Sequence, residues 1–445
     1  MLNRFFKLDE KGTNVKREII AGITTFLAMA YILGVNPTIL SAEGMPVNAV
    51  FFATALSSGI ACIVMGLVSN YPIGLSAGMG LNALFTYTVV MEMGLSWQAA
   101  LAAVFLSSVI FLIITIAGFR EVILNAINED LKQAIGCGIG FFLAFLGLAN
   151  AGIVVSNLLT IVSLGNLTSP HVVLAIFGIV FTLVLYLQRI PAAVFFGLVS
   201  TAILGVIFTS MGFTDPNVAM PSIPSQWVSF NMNFSLFGGF LHGFGELLNN
   251  IPSLLMILFS MLFVTFFDTT GTLIPLAKEC GYVREDGTTE GINKAFLSDA
   301  IGGIIGAIFG SSTVTAFVES ATGIGLGGRT GLTAITIGVL FILSIFIAPS
   351  ILSLFTASVT TAALVMVGIL MFNQIKNIKW YSNRIVASVF VTILMMILSY
   401  SISLGIAFGY ITYHIGTIAR GKMRELSPVE WLLFIVFGIY LVFRL

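Results

Sequence analysis

Long apolar runs alternate with short polar stretches along almost the whole chain. Fourteen of these runs are close to the roughly 20 residues that a helix needs to cross the hydrocarbon core of a bilayer. The pattern predicts an all-α polytopic membrane protein with fourteen transmembrane segments. In chain order, which also numbers them, the segments are Ile19–Leu40, Val47–Val68, Leu75–Val90, Trp97–Gly118, Gln133–Gly152, His171–Leu187, Pro191–Ser210, Leu254–Leu276, Lys294–Phe309, Ser311–Gly327, Leu332–Ile347, Phe355–Phe372, Ile385–Tyr400 and Ile402–Ile418.

The composition agrees with a chain that is surrounded by lipid. Of its 445 residues, 58% are hydrophobic and 9% are charged, whereas soluble domains carry about 25% charged residues. The net charge is zero, which argues against a nucleic-acid partner because such a partner requires a basic surface. The sequence has no Walker-type phosphate loop, and its 3 cysteines lack the spacing of metal ligands or disulfides. We therefore expect neither an enzyme nor a resident cofactor or metal.

The basic residues predict the orientation, since Lys and Arg accumulate in short cytoplasmic loops. With the N-terminus inside and fourteen crossings, 18 of the 19 basic residues fall on the inner side, Arg120 among them, and the external loops between segments hold none. The exception is Arg444, which follows a further apolar stretch, Pro428–Phe443. If that stretch crossed the membrane, Arg444 would be external, so the sequence favours a helix at the inner interface. The predicted location is a cell membrane, the bacterial inner membrane, with a cytoplasmic N-terminus.

Seven segments precede the long stretch 211–253 and seven follow it, so the second half enters the membrane from the opposite face. This predicts an inverted repeat: 1–210 as the first half, 211–253 as an external linker, 254–418 as the second half and 419–445 as a cytoplasmic or interfacial end. Segments 3 and 10 are interrupted, by SAGMGLN and by STVTAFVESATGIGLGG. Paired interrupted segments mark the substrate site of many transporters. The alternation in Ser311–Phe317 predicts a short extended stretch that pairs with segment 3.

Three acids lie within the segments, Asp268, Asp299 and Glu319, and no basic residue lies in the interior of any segment to pair with them. A charge near the bilayer centre costs at least about 2.5 kcal/mol, so such residues usually have a function. The pattern indicates a proton- or sodium-coupled carrier. Asp268, next to Thr269, and Glu319 are the main candidates for the site. For Asp299, a local structural bond and a proton relay are equally compatible with the sequence.

Segment 3 offers Asn82 at the position that corresponds to Glu319, and its amide can both donate and accept hydrogen bonds. A structural hydrogen bond across the break is the alternative interpretation. Phe317, two residues before Glu319, is placed to stack on a flat ligand.

These residues lie in motifs that resemble the nucleobase/cation symporter family 2, in its AzgA-like hypoxanthine/adenine/guanine permease branch: AGITTFLAMAYILGVNP, SAGMGLNALFTY, FFDTTGTL and TAFVESATGIGLGGRTGLTA. The resemblance covers nearly the whole chain. It implies a core domain from segments 1–4 and 8–11, a gate domain from segments 5–7 and 12–14, and short antiparallel strands in segments 3 and 10. It also implies proton symport, elevator-like movement of the core domain and a homodimer through the gate domains.

Residue by residue, the resemblance implies that Asp268 and Glu319 bind a purine ring, with Phe317 at the border of the pocket. It implies that Asn82 and Gly80 shape the side formed by segment 3. Ser320 stands where the wider family has Asn, so the role of its side chain stays open.

Two other classes remain as alternatives. An anion exchanger of the sulfate-permease type resembles the same architecture, but it would favour a basic residue at the site. A channel or a membrane scaffold would not need the pair of carboxylates.

Overall fold

In a computed structural model, the described residues are 2–118, 128–249, 251–284 and 288–444. They form mostly helices, with four short strands. The helices are α1 Leu2–Phe6, α2 Val15–Met29, α3 Ile32–Leu40, α4 Val47–Val64, α5 Met79–Ala83, α6 Trp97–Ile116, α7 Glu129–Asn150, α8 Pro170–Leu187, α9 Ala193–Ser210, α10 Phe240–Leu248, α11 Ile251–Glu279, α12 Ile292–Phe309, α13 Ser320–Gly325, α14 Gly331–Ser344, α15 Ala348–Leu354, α16 Ala357–Phe372, α17 Asn383–Leu398, α18 Ile402–Ala419 and α19 Pro428–Arg444. The strands are β1 Leu75–Ala77, β2 Val154–Asn157, β3 Ile161–Leu164 and β4 Val314–Ala316.

Among the described residues, 11 helical stretches are long and apolar enough to cross a membrane. They coincide with predicted segments 1, 2, 4 to 9, 11, 12 and 14. Segments 3 and 10 each consist of a strand followed by a short helix. In segment 3, a π-helix over Leu84–Glu92 continues this short helix. Segment 13 corresponds to the shorter apolar helix α17. The mostly helical polytopic fold is confirmed, and the count of fourteen crossings stays a prediction. Arg120 lies outside the described residues.

The chain is not entirely α-helical, because four strands form two small antiparallel sheets. One sheet, β1 with β4, lies in the interrupted segments. The other is a hairpin of β2 and β3 that the sequence analysis did not predict. Its β-branched residues favour strands. The side chain of Asn157 accepts hydrogen bonds from the backbone N–H groups of Leu159 and Thr160 in the connecting turn, which is the usual way an Asn stabilises a turn.

The helices pack in two groups. The larger helix group contains α2 to α6 and α11 to α15, and in it α14 packs on α2 and α4 while α12 packs on α4 and α6. The smaller helix group contains α7 to α9 and α16 to α18, and in it α16 and α17 pack on α7. Contacts between the groups are fewer and involve chiefly α11 with α7. At the boundary between the two groups, α7 and α16 face the interrupted segments 3 and 10.

The two ends of the helix bundle carry different parts of the chain. At one end, Lys11 of the N-terminal region forms an ion pair of 3.0 Å with Glu290, in the connection before α12. At the other end, the linker covers the C-terminal end of α12, where the Gly238 N–H donates to the Ile308 carbonyl oxygen at 2.8 Å. The linker thus lies opposite the N-terminal residues, as the alternation of segments requires.

Glu18, which the sequence places at a segment end, is completely buried in the first turn of α2. Its carboxylate accepts hydrogen bonds from the backbone N–H groups of Arg329 at 2.8 Å and Thr330 at 3.1 Å, and from the Thr333 hydroxyl at 2.6 Å. These bonds attach the turn between α13 and α14 to segment 1. They hold the far end of interrupted segment 10 in place.

Candidate functional site

The interrupted segments 3 and 10 meet as a pair of antiparallel strands in the interior of the larger helix group. Every residue of the two strands is buried. The pairing continues at both ends, where the Gly78 N–H donates to Thr313 O at 2.9 Å and the Phe317 N–H donates to Gly74 O at 3.0 Å. Extended backbone far from water needs such partners. The prediction that Ser311–Phe317 is extended and pairs with segment 3 is confirmed, with the register Leu75↔Ala316, Ser76↔Thr315 and Ala77↔Val314.

The two strands approach each other too closely for a larger residue at Gly78. A β-carbon added to Gly78 would lie 2.7 Å from Cγ2 of Thr315, which is shorter than any ordinary contact between carbon atoms. The glycine in this motif is therefore a requirement of the strand pair.

Asp299 fastens strand β4 to the helices behind it. Its carboxylate, on α12, accepts hydrogen bonds from the Thr315 hydroxyl at 3.0 Å and the Ala316 N–H at 2.8 Å. It also accepts one from the Thr269 hydroxyl of α11 at 2.7 Å. Asp299 is 1% exposed and Thr269 is fully buried. Three donors converge on this carboxylate, so its geometry is that of a structural bond that holds the strand.

Removing this carboxylate is expected to destabilise the protein. In Asp299→Ala, three buried donors lose their acceptor, and each unsatisfied group costs about 1–3 kcal/mol. We expect a clearly lower unfolding temperature in detergent and less folded protein in membranes. Ser298→Ala is the matched control, since the Ser298 hydroxyl bonds only within its own helix, to Lys294 O. An Asp299→Ala protein as stable as the control would contradict this structural role.

Glu319 lies three residues after β4, directly before α13, and is 8% exposed. Its Oε1 accepts a hydrogen bond of 2.7 Å from the hydroxyl of Tyr31. Tyr31 is fully buried and lies where segment 1 breaks between α2 and α3. The tyrosine ring is also near Phe317, with ring centroids 6.5 Å apart. The break in segment 1 thus places a phenolic donor on the carboxylate of segment 10.

Asp268 and Glu319 line one cavity at the boundary between the two helix groups. The larger helix group contributes polar atoms to it, from Asp268, Thr272 and Glu319 and from the backbone at Gly78 and Gly80, together with Phe317. The smaller helix group contributes only apolar side chains, which are Ile139, Leu143, Val367, Leu370 and Met371.

The carboxylate of Asp268 has no hydrogen-bond partner among the described residues. It is partly buried on α11 and faces the cavity. Such a carboxylate lacks the donors that Asp299 has, so it is available to accept hydrogen bonds from a ligand.

The predicted site residues divide into two sets. Asp268, Glu319, Gly80 and Phe317 surround the cavity. The remaining four point elsewhere: Asn82, Thr269, Asp299 and Ser320.

Each of those four side chains bonds inside the larger helix group. Thr269 and Asp299 bond to each other, and the Ser320 hydroxyl accepts a hydrogen bond from the Gly74 N–H at 3.0 Å. Asn82 donates to the Asn36 side chain at 2.6 Å, which agrees with the structural alternative for this residue. Their roles in binding and proton coupling stay predictions.

Two features of the site were missed by the sequence analysis. The first is Tyr31. Its hydroxyl within the apolar motif AMAYILGVNP is a polar group in a predicted segment and could have been recognised as a candidate. The apolar wall from α7 and α16 is the other, and nothing distinguishes its residues from the other aliphatic positions of the chain. Among the described residues, no group of three or more His, Cys, Asp and Glu side chains is arranged to hold a metal ion.

Comparisons with known proteins agree with the motifs. The model of a family named Xan_ur_permease, described as a permease family, matches residues 16–424. The guanine/hypoxanthine permease PbuG of Bacillus subtilis is 42% identical to this chain, over 99% of the chain and 100% of PbuG. The adenine permease AdeP of Escherichia coli is 38% identical, over 100% of the chain and 96% of AdeP.

A solved structure is similar in fold. The transmembrane domain of the bicarbonate transporter BicA of a cyanobacterium matches with a TM-score of 0.67 and 15% identity, over 88% of this chain and 97% of that domain. At this identity the likeness concerns the fold alone.

Proposed function

The chain belongs to the nucleobase/cation symporter 2 family, as its motifs indicated, and from this membership we propose that it imports purine nucleobases by proton symport. It is a transporter and not an enzyme, like the permeases to which it is similar. The observation that carries the proposal is the pair of acids, Asp268 and Glu319, on one side of a single cavity. The substrates we propose are hypoxanthine, guanine and adenine.

The chemistry of the cavity suits a flat, neutral ring with N–H donors. A carboxylate can accept two N–H bonds from the edge of guanine that carries N1–H and the 2-amino group, and one from N1–H of hypoxanthine, and such charge-assisted bonds are about twice as strong as neutral ones. Phe317 offers an aromatic face beside them. Asp268 has no donor among the described residues, so a purine edge supplies the missing hydrogen bonds.

The same acids support proton coupling. The cavity is lined by two carboxyl groups and, among the described residues, by no Lys, Arg or His. Carrying an uncompensated carboxylate across hydrocarbon is costly. Protonation of Asp268 or Glu319 together with substrate entry lowers the charge that the loaded site carries across the membrane from −2 to −1. The coupling ion we propose is H⁺.

An elevator movement is supported by the asymmetry of the cavity walls. Among the described residues, all its polar side chains come from the larger helix group, which corresponds to the proposed core domain, segments 1–4 and 8–11. The wall from the smaller helix group, the proposed gate domain of segments 5–7 and 12–14, is apolar and free of hydrogen-bonding side chains. A smooth apolar wall lets the core domain slide with its ligand.

The proposed assembly has fourteen segments in two inverted halves, 1–210 and 254–418, joined by the external linker 211–253. The N-terminus is cytoplasmic in a cell membrane. Two copies pair through their gate domains.

The runner-up is anion transport of the sulfate-permease type. A bicarbonate transporter shares the fold, but at 15% identity this likeness says nothing about the substrate. The lining of the cavity argues against it, because two carboxylates without a basic residue would repel an anion.

Competition of uptake separates the two functions. In proteoliposomes with an inward proton gradient, we expect saturable uptake of labelled hypoxanthine. Unlabelled hypoxanthine, guanine or adenine should reduce it at least tenfold, and excess uracil, sulfate or bicarbonate should leave it unchanged. Liposomes without protein provide the background. Inhibition by sulfate or bicarbonate, or uptake no greater than the background, would refute purine transport.

A further inference from the structure

Helix α19 lacks the polar face of a helix that lies on a membrane surface. Interfacial helices combine an apolar face with a charged or polar one, whereas Glu430 is the sole charged residue between Pro428 and Phe443. Four apolar side chains form an exposed stripe along the helix: Leu432 61%, Ile435 54%, Ile439 51% and Val442 70%. Such a stripe fits lipid contact over the whole length.

The partners of α19 run along the full length of a membrane-spanning helix. Near its start, the Glu430 carbonyl accepts a hydrogen bond from the Tyr410 hydroxyl at 3.3 Å, and Phe434 lies 5.8 Å from His414 between ring centroids. One turn further, Phe437 lies 5.0 Å from the ring of Tyr410.

The end of α19 reaches the opposite end of α18. Phe437 and Tyr440 border a small cavity with Ser403 and Ile406, and Ser403 is the second residue of α18. α19 is therefore antiparallel to α18 along almost its whole length, since 17 residues of helix extend about 25 Å.

A second helix confirms this direction. Phe437 lies 5.0 Å from both Phe259 and Phe263 of α11. Val429 and Leu433, earlier in α19, border an apolar cavity with Phe266 and Phe267, later in α11. The two helices are thus antiparallel, and α19 contacts both helix groups, α11 in the larger and α18 in the smaller.

We infer that α19 crosses the membrane, places the C-terminus on the side opposite the N-terminus, and forms with Tyr440 one wall of the external entrance to the substrate site. This differs from the interfacial helix that the sequence favours. One external basic residue, against 18 on the inner side, does not reverse the overall bias.

The entrance is a second cavity, lined by polar and apolar side chains in about equal number. Tyr440 borders it together with Thr88 and Glu92 at the end of segment 3, and with Ser253 and Ser260 at the start of α11. These ends of segments 3 and 8 are predicted to be external. Ser260 precedes Asp268 by eight residues, about 12 Å along the same helix. The role as an entrance rests on the proposed function, whereas the crossing does not.

Cysteine labelling of the full-length chain tests the crossing without any transport assay. In a background with Cys62, Cys137 and Cys280 replaced by Ala, a membrane-impermeant maleimide added to intact cells should label Tyr440→Cys. It should label Met423→Cys, which is 49% exposed before α19, after the cells are permeabilised. Alkaline phosphatase fused after Leu445 should be active, and a fluorescent protein fused there should be dark. Protection of Tyr440→Cys in intact cells together with a fluorescent C-terminal fusion would overturn the crossing.

Uptake by the same variants tests the entrance. Maleimide on Tyr440→Cys should reduce the initial rate of hypoxanthine uptake at least fivefold, and external hypoxanthine should slow the labelling. Met211→Cys, which is 77% exposed where the predicted external linker begins, should be labelled without loss of rate. Labelling of Tyr440→Cys with unchanged uptake would overturn the entrance, while loss of purine uptake in the unmodified protein would refute the proposed function and leave the crossing intact.

Discussion

Asp268→Asn is expected to remove purine transport almost completely while leaving the protein folded. The carboxylate makes no hydrogen bond to the described residues, and the replacement keeps its size, so stability has little to lose. Two charge-assisted hydrogen bonds to a ligand are worth about 1.5–3 kcal/mol each. Loss of both bonds should lower the ratio of the maximal rate to the half-saturating concentration by about two to four powers of ten.

The measurement is the initial rate of uptake of labelled guanine, which can donate both bonds, in proteoliposomes, with the unfolding temperature determined on the same preparations. Thr270→Val is the matched control on α11. Thr270 lies two residues along the helix, and its hydroxyl bonds back to the Phe266 carbonyl oxygen and not to the cavity. We expect it to keep its rate within a factor of three. Asp268→Asn with uptake close to that of the control would exclude Asp268 from the site.

Glu319→Gln is expected to separate transport from the proton gradient. The amide keeps an oxygen that accepts the hydrogen bond from Tyr31, so the local structure persists, but it no longer takes up a proton in the physiological range. Hypoxanthine should then fail to accumulate above its external concentration. The dependence of the uptake rate on external pH should flatten, with at least a tenfold loss at the pH optimum of the unmodified protein.

Tyr31→Phe separates this effect from a loss of packing around the carboxylate. It removes the 2.7 Å hydrogen bond and keeps the acid and the ring, so accumulation should remain dependent on the gradient at a reduced rate. Counterflow, in which labelled substrate exchanges against internal unlabelled substrate, reports whether Glu319→Gln still binds purines. Normal accumulation driven by the gradient in Glu319→Gln would refute its role in coupling.

The three intramembrane acids show how far sequence reasoning reaches. A carboxylate within an apolar run stands out, and this was enough to select Asp268, Asp299 and Glu319. Nothing in the local sequence separates Asp299, which accepts three hydrogen bonds, from Asp268, which accepts none among the described residues. The donors to Asp299 lie 16 to 30 positions away in the chain, on β4 and on α11.

The polar residues beside these acids were harder to assign. Asn82 and Ser320 lie in the right motifs, but their side chains bond to Asn36 and to the backbone of Gly74. Tyr31 reaches Glu319 across 288 positions of the chain. Its hydroxyl stands out within an apolar motif, but nothing in the local sequence indicates a partner so far along the chain.

The sequence by itself determined that this chain spans a membrane, where its long apolar helices lie, that segments 3 and 10 are interrupted and which acids lie in apolar stretches. These properties are local, because hydrocarbon penalises every charge and every unpaired peptide group wherever it occurs. Only the tertiary structure decided which acids share a cavity, which one is bound within the protein, and on which helices α19 packs. Those outcomes depend on contacts between residues far apart in the chain, and in a chain this uniformly apolar many different packings would satisfy the same hydrophobic pattern.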